Sequence, residues 1–384
     1  SFNKKAIKYS IWEKDLYFKD QDVIIIGGGF VGLWTAFHLK EKKPSLKVTI
    51  LDDGIFPNGA STKNAGFACF GSLTELEYNK QSMGEELSLE FVKNRYLGIE
   101  KIKSTFNKNQ IRFENYGGYE LIFNQADSDI NAAIKSMNKF LSNVLPFKQT
   151  FILKNDKINE FGFQKTNQLI YCPYEGQLHS GYLLEALIDR VRNMGVKYLL
   201  NMPVNSVVNS GKKVIVNIQN SRIKMKASNV FVCINAFTRI IFPTLDVIPA
   251  RGQILLTEPI PNIPFKGTFH AEEGFYYFRN LGNRILLGGG RHKDISGETS
   301  YLPIYTDFIQ NDLENFLKNI ILPKDFKKPK IKHRWGGIMG MGEEKTPIIE
   351  QIKPNVYCIV RMSGMGVALA PIVSEIAIKK FMGI

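Results

Sequence analysis

Several kinds of segment are missing from this chain of 384 residues, and each absence narrows what the protein can be. No uninterrupted apolar run approaches the roughly 18 residues of a membrane-spanning helix. The basic start Ser1–Lys8 is not followed by an apolar segment, so we expect no secretory signal and predict a cytoplasmic protein. Cys69, Cys172, Cys233 and Cys358 form no C-x-x-C pair, which argues against a zinc site or a redox dithiol, and no metal site is predicted.

A dense basic region is missing too, although 50 Lys and Arg residues against 36 Asp and Glu residues give a net charge of +14. The lysines are dispersed, with short runs at residues 327–330 and 379–380. No nucleic-acid partner is therefore predicted. The 44% of hydrophobic and 22% of charged residues are ordinary for a globular protein, and the length predicts two domains.

What is present is a glycine-rich turn directly after an apolar run. Val23–Ile26 is typical of a buried strand, and Gly27, Gly29 and Gly32 after it match the pattern G-x-G-x-x-G. In this pattern the first glycine allows a tight turn, the second lets backbone N–H groups approach a pyrophosphate, and the third lets helix and strand pack closely. The helix that follows presents unpaired N–H groups and its positive dipole end to the phosphates.

The neighbouring residues support a dinucleotide site. Leu33–Lys40 contains neither Gly nor Pro and can form the helix, and Lys47–Leu51 predicts a second strand. Asp52 follows Gly32 by about 20 residues, the distance at which an acidic side chain meets a ribose hydroxyl. The alternative is a glycine turn of a βαβ unit that binds no ligand.

The far end of the chain repeats this arrangement. Val356–Val360 predicts a strand, Ser363–Gly366 a second glycine turn, and Val367–Phe381 a helix. A strand–glycine–helix unit at each end implies one discontinuous cofactor domain. We predict that this domain comprises residues 1–75, 170–235 and 335–384, and that a substrate domain comprises residues 76–169 and 236–334.

Between the two units, the pattern predicts a helix from Glu75 to about Phe106 and two short strands within Phe113–Phe123. It also predicts separate strands at Ile223–Ala227 and Val230–Ile234. The run Gly59–Phe67 is too polar for a core strand, and its small residues suit a close approach of backbone to a ligand.

Five segments together carry a family resemblance: Val23–Asp53, Ala60–Gly66, Arg251–Gln253, Arg284–Gly290 and Ser363–Val367. They resemble the FAD-dependent D-amino-acid oxidase superfamily, in particular its glycine oxidase, sarcosine oxidase and γ-glutamylputrescine oxidoreductase branch. The resemblance covers about residues 22–382. It implies an α/β fold, with a discontinuous Rossmann-like FAD-binding domain and an antiparallel β-sheet-rich substrate domain. The second glycine turn favours FAD over NAD, because the family uses it to place a helix N-terminus at the flavin pyrimidine.

The resemblance also implies the cofactor contacts. The first glycine turn should face the pyrophosphate, Asp52 the adenosine ribose, Val204 the adenine, and the second turn the flavin pyrimidine carbonyl. The implied FAD-binding residues are Gly27, Gly29, Phe30, Val31, Gly32, Asp52, Asp53, Ser61, Thr62, Lys63, Asn64, Ala65, Val204, Ser363, Gly364, Met365, Gly366 and Val367.

Three positions depart from the family pattern. Sarcosine-type relatives attach FAD to a cysteine within the segment that is Gly336–Gly342 here, and this segment contains none, so we expect non-covalent FAD. Met339 stands where glycine-oxidase-like members carry a carboxylate-binding arginine. Leu286 stands where the sarcosine branch has a lysine that assists oxygen, which predicts a slow reaction with oxygen.

On the substrate side, Tyr277 aligns with a tyrosine that the family places beside the flavin. Arg279 on the same strand and Arg291 after the next one are candidate pocket residues. Together with Met339 these form the predicted catalytic set, and the alternative is that they are ordinary strand-surface residues. His179 and His333 are predicted to be structural.

The resemblance implies oxidation of a C–N bond in a small-molecule amine or amino acid, with a hydride transferred to flavin N5. The electron acceptor is oxygen or an unknown compound. Oxidation of a 2-hydroxy acid and a non-catalytic flavoprotein subunit are the alternatives. Unless Arg279, Arg291 or Arg361 replaces the missing arginine, glycine, sarcosine and small D-amino acids should be poor substrates. Longer or secondary amines should then be better, because Met339 can line a pocket for an alkyl chain.

Overall fold

The structure is a computed structural model that describes residues 9–123, 127–219, 221, 223–324, 326–327 and 329–383. The start of the chain, Ser1–Lys8, and Lys328 of the short basic run lie outside the described residues. The α-helices are α1 (Ile11–Glu13), α2 (Phe30–Lys42), α3 (Ala60–Lys63), α4 (Leu73–Met83), α5 (Glu85–Thr105), α6 (Lys108–Ile111), α7 (Asp127–Leu141), α8 (Asp156–Phe161), α9 (Ser180–Asn193), α10 (Asp307–Phe316) and α11 (Gly366–Met382).

The strands are β1 (Gln21–Ile26), β2 (Val48–Leu51), β3 (Phe67–Ala68), β4 (Gly118–Ile122), β5 (Ile152–Leu153), β6 (Gln168–Cys172), β7 (Gly176–Gln177), β8 (Lys197–Leu199), β9 (Val204–Ser210), β10 (Lys213–Ile218), β11 (Lys224–Val232), β12 (Ile248–Thr257), β13 (Thr268–Ala271), β14 (Tyr276–Leu281), β15 (Arg284–Gly289), β16 (Ile331–Met341), β17 (Ile348–Lys353) and β18 (Val356–Val360). Short 3₁₀ or π-helical turns occupy Lys14–Phe18, Asn235–Ile240, Arg291–Lys293 and Leu317–Ile321.

The first sheet is built around β1 and has the order β17-β18-β11-β1-β2-β8. Strand β1 pairs in parallel with β2 and β11, so that Ile26 lies opposite Leu51 on one side and Val232 on the other. The carboxyl ends of these strands therefore meet at one edge, where Gly27, Asp52 and Cys233 follow them. In open parallel sheets this edge is where ligands bind.

The second sheet has the order β16-β12-β15-β14-β13-β4-β6-β5, and its pairs are antiparallel except β13 with β4. Strand β12 is long because it pairs with β15 on one side and with β16 along nearly its whole length on the other. Helix α10 packs against this sheet and shares its apolar core. The two sheets match the predicted α/β architecture.

Helices α2, α5, α9 and α11 cover one face of the first sheet and share the largest apolar core. The two ends of the chain meet there, because α2 and α11 pack side by side and the His38 ring bonds the Pro371 carbonyl oxygen at 2.8 Å from Nε2. The two ends of the chain therefore share one apolar core. No α-helix in the described ranges is both long and apolar enough to cross a bilayer.

Three predicted elements differ from the structure. The helix predicted from Glu75 to Phe106 is two helices, because Gly84 between α4 and α5 has a φ of +84° and interrupts the helical backbone. The segment Phe113–Phe123 holds one strand, β4, since its first part makes a single bridge at Glu114. The separate strands predicted at 223–227 and 230–234 are one strand, β11, which pairs with β10 along its first part and with β1 and β18 along its last part.

Two of the predicted domain boundaries fall inside structural units. Strand β16 pairs with β12 over both sides of residue 335, so the glycine-rich residues 336–341 lie in the second sheet. Helices α4 and α5, predicted within the substrate domain, bury apolar residues in the same core as α2 and α11. An apolar periodicity identifies a helix, but it does not identify the sheet against which that helix packs.

Candidate active site

A cavity of about 1270 Å³ is lined by elements of both sheets. It extends from Asp52 and Val204, past the first glycine turn and Lys63–Ala65, to the second glycine turn. This volume exceeds the roughly 300–1,000 Å³ of an ordinary small-molecule pocket. It can therefore hold a cofactor as large as FAD together with a small substrate.

The first glycine turn leaves no room for side chains. A Cβ on Gly32 would lie 1.9 Å from the Gly27 carbonyl oxygen, and a Cβ on Gly29 would lie 2.8 Å from Ser61 Oγ. The Ser61 hydroxyl accepts the Phe30 backbone N–H at 2.9 Å, which joins α3 to the start of α2. Both the turn and the polar segment after β2 thus form one wall of the cavity, as expected of a pyrophosphate site.

The carboxylate of Asp52 is fixed at the end of β2. Its Oδ2 accepts the Gly28 N–H at 2.7 Å and its Oδ1 accepts the Gly54 N–H at 3.1 Å. Burial raises the pKa of this carboxyl, although both backbone bonds oppose the shift. Each oxygen keeps a further lone pair toward the cavity, so Asp52 can accept hydrogen bonds from ribose hydroxyls.

The second glycine turn lies at the other end of the cavity. Ser363 and Gly364 have φ values of +49° and +82°, and α11 begins at Gly366. The Ser363 hydroxyl donates to the Lys345 carbonyl oxygen at 2.9 Å, which ties the turn to the loop after β16. The first N–H groups of the 17-residue α11 face this turn, which suits the electron-rich pyrimidine of a flavin.

Beside this turn, one part of the cavity is lined by Phe67, Glu75, His270, Tyr277, Arg291 and Met339, and we call it the inner chamber. The Phe67 ring makes edge contacts with the His270 ring at 5.2 Å and the Tyr277 ring at 5.9 Å between centroids. Three aromatic rings therefore form a continuous wall. A chamber that combines such a wall with a few convergent polar groups, here Glu75 and Arg291, is typical of a small-molecule site.

Tyr277 and Met339 approach each other across the inner chamber. A Cβ on Gly252 would lie 3.2 Å from Met339 Cε and 3.6 Å from Tyr277 Oη, so both side chains end above this glycine. Burial raises the pKa of Tyr277 to about 12, and the phenol is neutral. Its hydroxyl has no hydrogen-bond partner among the described residues and can donate to a ligand.

The arginines around the second sheet and the second glycine turn divide into two kinds. Arg279 is buried and donates from Nη1 to the carbonyl oxygens of Gly66 at 3.0 Å and Leu178 at 2.9 Å. Arg251 is buried against Glu298 at 2.6 Å. Arg361 is held by Asp246 and the Thr346 carbonyl oxygen. The guanidinium groups of these three arginines therefore make structural contacts within the protein.

Arg291 is different. Its guanidinium lines the cavity, and within the described part of the chain it makes neither an ion pair nor a hydrogen bond. Burial lowers its pKa, with a smaller opposing effect from the charge of Glu298. A half-buried cation without a partner is unusual, because burial of an uncompensated charge is costly.

Most of the residues predicted from the sequence line this cavity. Three do not: Gly32 packs beneath the turn, the Thr62 hydroxyl bonds the carbonyl oxygens of Pro57 and Gly59, and Arg279 lies behind the wall. The structure thus brings Tyr277, Arg291 and Met339 to the cavity, together with all the other residues predicted to bind FAD.

Several polar residues of the cavity wall were not predicted from the sequence, among them Glu75, His270 and Lys345. His270 is buried, both of its ring nitrogens have no partner in the described part of the chain, and burial lowers its pKa to about 4. Glu75 and Lys345 form an ion pair at 3.0 Å although 270 positions separate them. No local pattern connects these residues, so the sequence offered no signal for them.

This chain is similar to known proteins along nearly its whole length. A family model described as FAD dependent oxidoreductase (DAO) matches residues 22–379. The probable oxidoreductase OrdL of Rhizobium meliloti (strain 1021) is 22% identical over 360 residues, which are 91% of this chain and 80% of that protein.

Two solved structures share the fold. L-proline dehydrogenase from P. horikoshii superposes with a TM-score of 0.76 at 17% identity over 95% of this chain and 94% of that one. Glycine oxidase from Geobacillus kaustophilus superposes with a TM-score of 0.75 at 18% identity over 94% of both chains. The predicted fold class is thus confirmed. Because the family model spans nearly the whole chain, this protein belongs to the DAO family of FAD-dependent oxidoreductases, as its glycine turns and the cavity between them indicated.

Proposed function

We propose that this enzyme oxidises a C–N bond of an amine or amino acid that carries a carboxylate, and that Arg291 binds this carboxylate. The observation that carries the proposal is the unpaired Arg291 guanidinium in the inner chamber. A bidentate arginine–carboxylate pair orients a small substrate and rejects analogues that lack the carboxylate. Glycine-oxidase-like members bind the carboxylate with an arginine at the position of Met339. Arg291 would take over that role here.

The other residues of the inner chamber supply orientation. A carboxylate on Arg291 would place the rest of the substrate along Phe67, Tyr277 and Met339. The neutral Tyr277 hydroxyl can donate a hydrogen bond to the substrate, and the apolar Met339 can contact its alkyl part. Bound FAD supplies the acceptor for the hydride removed from the carbon next to nitrogen.

Oxidation of a 2-hydroxy acid is less well supported, because it requires a base that removes the hydroxyl proton. The imidazole that lines the cavity is His270, and its pKa of about 4 makes it a weak base. An amine needs no such group on the protein once it is neutral, since its own lone pair drives loss of the hydride. The geometry therefore favours C–N oxidation.

The similar solved structures are consistent with this choice. They include enzymes named for L-proline, glycine, L-amino acids and iminodiacetate, all of which are amines that carry a carboxylate. An L-α-glycerophosphate oxidase from Mycoplasma pneumoniae shares the fold and represents the alternative. All are 18% identical or less, so they support the class of substrate and not its identity.

Matched pairs of compounds test the proposal. The holoenzyme is mixed anaerobically with each compound separately, and loss of the oxidised flavin spectrum is followed. Glycine is compared with methylamine and L-proline with pyrrolidine, which lack the carboxylate. Both alanine enantiomers are compared with lactate, which has a hydroxyl group in place of the amine. We expect at least one carboxylate-bearing amine to react about 100-fold faster than its partner without the carboxylate. Equal rates for pyrrolidine and proline, or a reaction limited to lactate, would contradict the proposal.

Variants then test whether Arg291 is the residue that binds the carboxylate. Arg291→Met should remove this preference, lowering kcat/KM about 100-fold for the carboxylate-bearing amine and by less than about threefold for its partner. Arg190→Met, a substitution on the exposed face of α9, is the matched control and should change neither value.

We also propose that an acceptor other than oxygen takes the electrons. Leu286 is buried in an apolar cluster with Ile254 and Leu256, so no cation occupies that position. Cations favour reduction of oxygen because they stabilise the superoxide that forms first. Anaerobically reduced enzyme mixed with oxygen should therefore be reoxidised more slowly than with an artificial dye. Faster reoxidation by oxygen would instead point to Lys63 or Arg291 as the missing cation.

A further inference from the structure

A cluster of buried charges lies between α4, α5 and the loop after β16, on the side of the inner chamber that the proposed reaction does not use. At its centre the Glu75 Oε1 atom accepts from Arg95 Nη1 and from Lys345 Nζ, both at 3.0 Å. Lys345 Nζ also donates to Asn79 Oδ1 at 2.9 Å. The Arg95 side chain is fully buried, whereas that of Lys345 is 25% exposed.

This cluster has an excess of positive charge. Two cations share one carboxylate, whose ionised form they stabilise: burial raises the pKa of Glu75, but the charges and hydrogen bonds of Arg95 and Lys345 outweigh burial and hold it below the usual value. Among its neighbours, Glu175 has a pKa raised to about 7 by burial, and His270 has a pKa lowered to about 4. The three bonded side chains of Arg95, Lys345 and Glu75 therefore carry one more positive than negative charge.

Arg95 through its side chain and Lys345 through its backbone contact the turn that faces the flavin pyrimidine in the family. Arg95 Nη2 lies 3.1 Å from Met365 Sδ, directly before the first residue of α11. The Lys345 carbonyl oxygen accepts the Ser363 hydroxyl at 2.9 Å, and the Lys345 side chain lines the cavity. The Arg95 guanidinium thus contacts the second glycine turn directly, and the backbone of Lys345 is hydrogen-bonded to the same turn.

We propose that the cluster of Arg95, Glu75 and Lys345 raises the reduction potential of the bound flavin. Acceptance of a hydride brings two electrons and one proton, so the ring system becomes one unit more negative. A net cation behind the second glycine turn stabilises that charge more strongly than the same cation would through water, because the cluster is buried in a medium of low dielectric constant. Arg95, Glu75 and Lys345 are positioning residues. The inference rests on the binding of FAD, which the family establishes, and does not depend on which substrate is oxidised.

Two substitutions change the charge in opposite directions. Lys345→Met removes one positive charge and should lower the two-electron midpoint potential of FAD at pH 6 by about 30 mV, which corresponds to a tenfold change in the equilibrium constant. Glu75→Gln removes the negative charge and should raise the potential. Sulfite binds oxidised flavins as an anion, so its affinity should fall about tenfold in Lys345→Met and rise in Glu75→Gln.

The controls separate charge from damage to the structure. Lys345→Arg keeps the charge and should keep the potential within 10 mV of the wild type, which is about a twofold change in equilibrium constant. Lys101→Met removes a lysine of similar exposure, 24%, that pairs with Glu41 at 3.4 Å away from the cavity, and should have no effect.

Opposite shifts in Lys345→Met and Glu75→Gln support the proposal. Shifts in the same direction, or a potential for Lys345→Met within 10 mV of the wild type, overturn it. If Glu75→Gln does not fold, the pair Lys345→Met and Lys345→Arg decides, because a structural role would lower the potential in both or in neither.

Discussion

The two ends of the cavity recognise their ligands in different ways. At the first glycine turn the wall is backbone: Gly27, Gly29 and Gly32 leave no space for a side chain, and α2 begins at this wall. At the inner chamber the wall is made of side chains from distant segments, among them Glu75, His270 and Arg291. The first end of the cavity is built from residues close together in the sequence, whereas the second end is built from residues far apart in the sequence.

The two ends also differ in how much their polar groups cost the stability of the fold. Backbone recognition requires small residues at fixed spacing and buries few charges. The inner chamber requires buried polar groups, and Glu75, Arg95 and His270 each keep at least one nitrogen or oxygen without a partner among the described residues. Such groups lower stability unless a ligand or water bonds them.

The backbone end should tolerate no added side chain. Gly29→Val should abolish FAD binding, with an affinity loss of at least about 100-fold, because its Cβ lies 2.8 Å from Ser61 Oγ and its methyl groups fill the phosphate position. Gly59→Ala is the control, since a Cβ at that cavity-lining glycine has nothing within 4 Å. Flavin content per protein and the circular dichroism of both variants provide the measurement. Stoichiometric FAD in Gly29→Val would mean that the turn does not contact the cofactor.

Neither end should hold the flavin covalently. Cys69 and Cys233 line the cavity, but burial raises the pKa of both thiols far above the usual value, so neither forms the reactive thiolate. Acid precipitation should leave essentially all the flavin in the supernatant. Yellow colour in the washed pellet would show a covalent bond, and digestion of that pellet would identify the residue.

The two arginines near the inner chamber should separate stability from binding. Arg279→Met should lower the free energy of unfolding by about 2–4 kcal/mol, because it removes one donor from each of the buried carbonyl oxygens of Gly66 and Leu178. Arg291→Met should change it by less than about 0.5 kcal/mol, since no described partner loses a bond. Urea unfolding of both variants gives the comparison. An equal loss in both would remove the reason for assigning Arg291 to the ligand.

The buried acids behind the inner chamber should make stability depend on pH. Burial raises the pKa of Glu120 from 4.5 to about 7, although its carboxylate bonds the Thr74 N–H and hydroxyl. The stability that this raised pKa contributes is present in full below pH 4.5 and is lost as the pH rises through about 7.

Glu120→Gln should lack this dependence. Between pH 5 and 8 the wild type should lose about 2 kcal/mol of unfolding free energy relative to the variant. Glu160→Gln, at an exposed position on α8, is the control and should follow the wild type. Parallel pH curves for Glu120→Gln and the wild type would show that Glu120 is ionised throughout.

The sequence by itself determined the backbone end of the site. The strand Val23–Ile26, its glycine turn, α2 and Asp52 lie within about 30 consecutive residues, and their spacing is a direct consequence of a βαβ unit. The second turn at Ser363–Gly366 follows the same rule. Family, fold class and cofactor could be predicted because these features depend on local conformation.

Only the tertiary structure decided how the side chains of the inner chamber are used. Arg279 and Arg291 look alike in the sequence, yet the pairing of β14 and β15 buries one against carbonyl oxygens and leaves the other facing the cavity. Glu75 and Lys345 meet only because α4 packs beside the loop after β16. Side-chain partners depend on strand register and helix packing, which are long-range, whereas hydrophobic periodicity and glycine spacing report the local backbone alone.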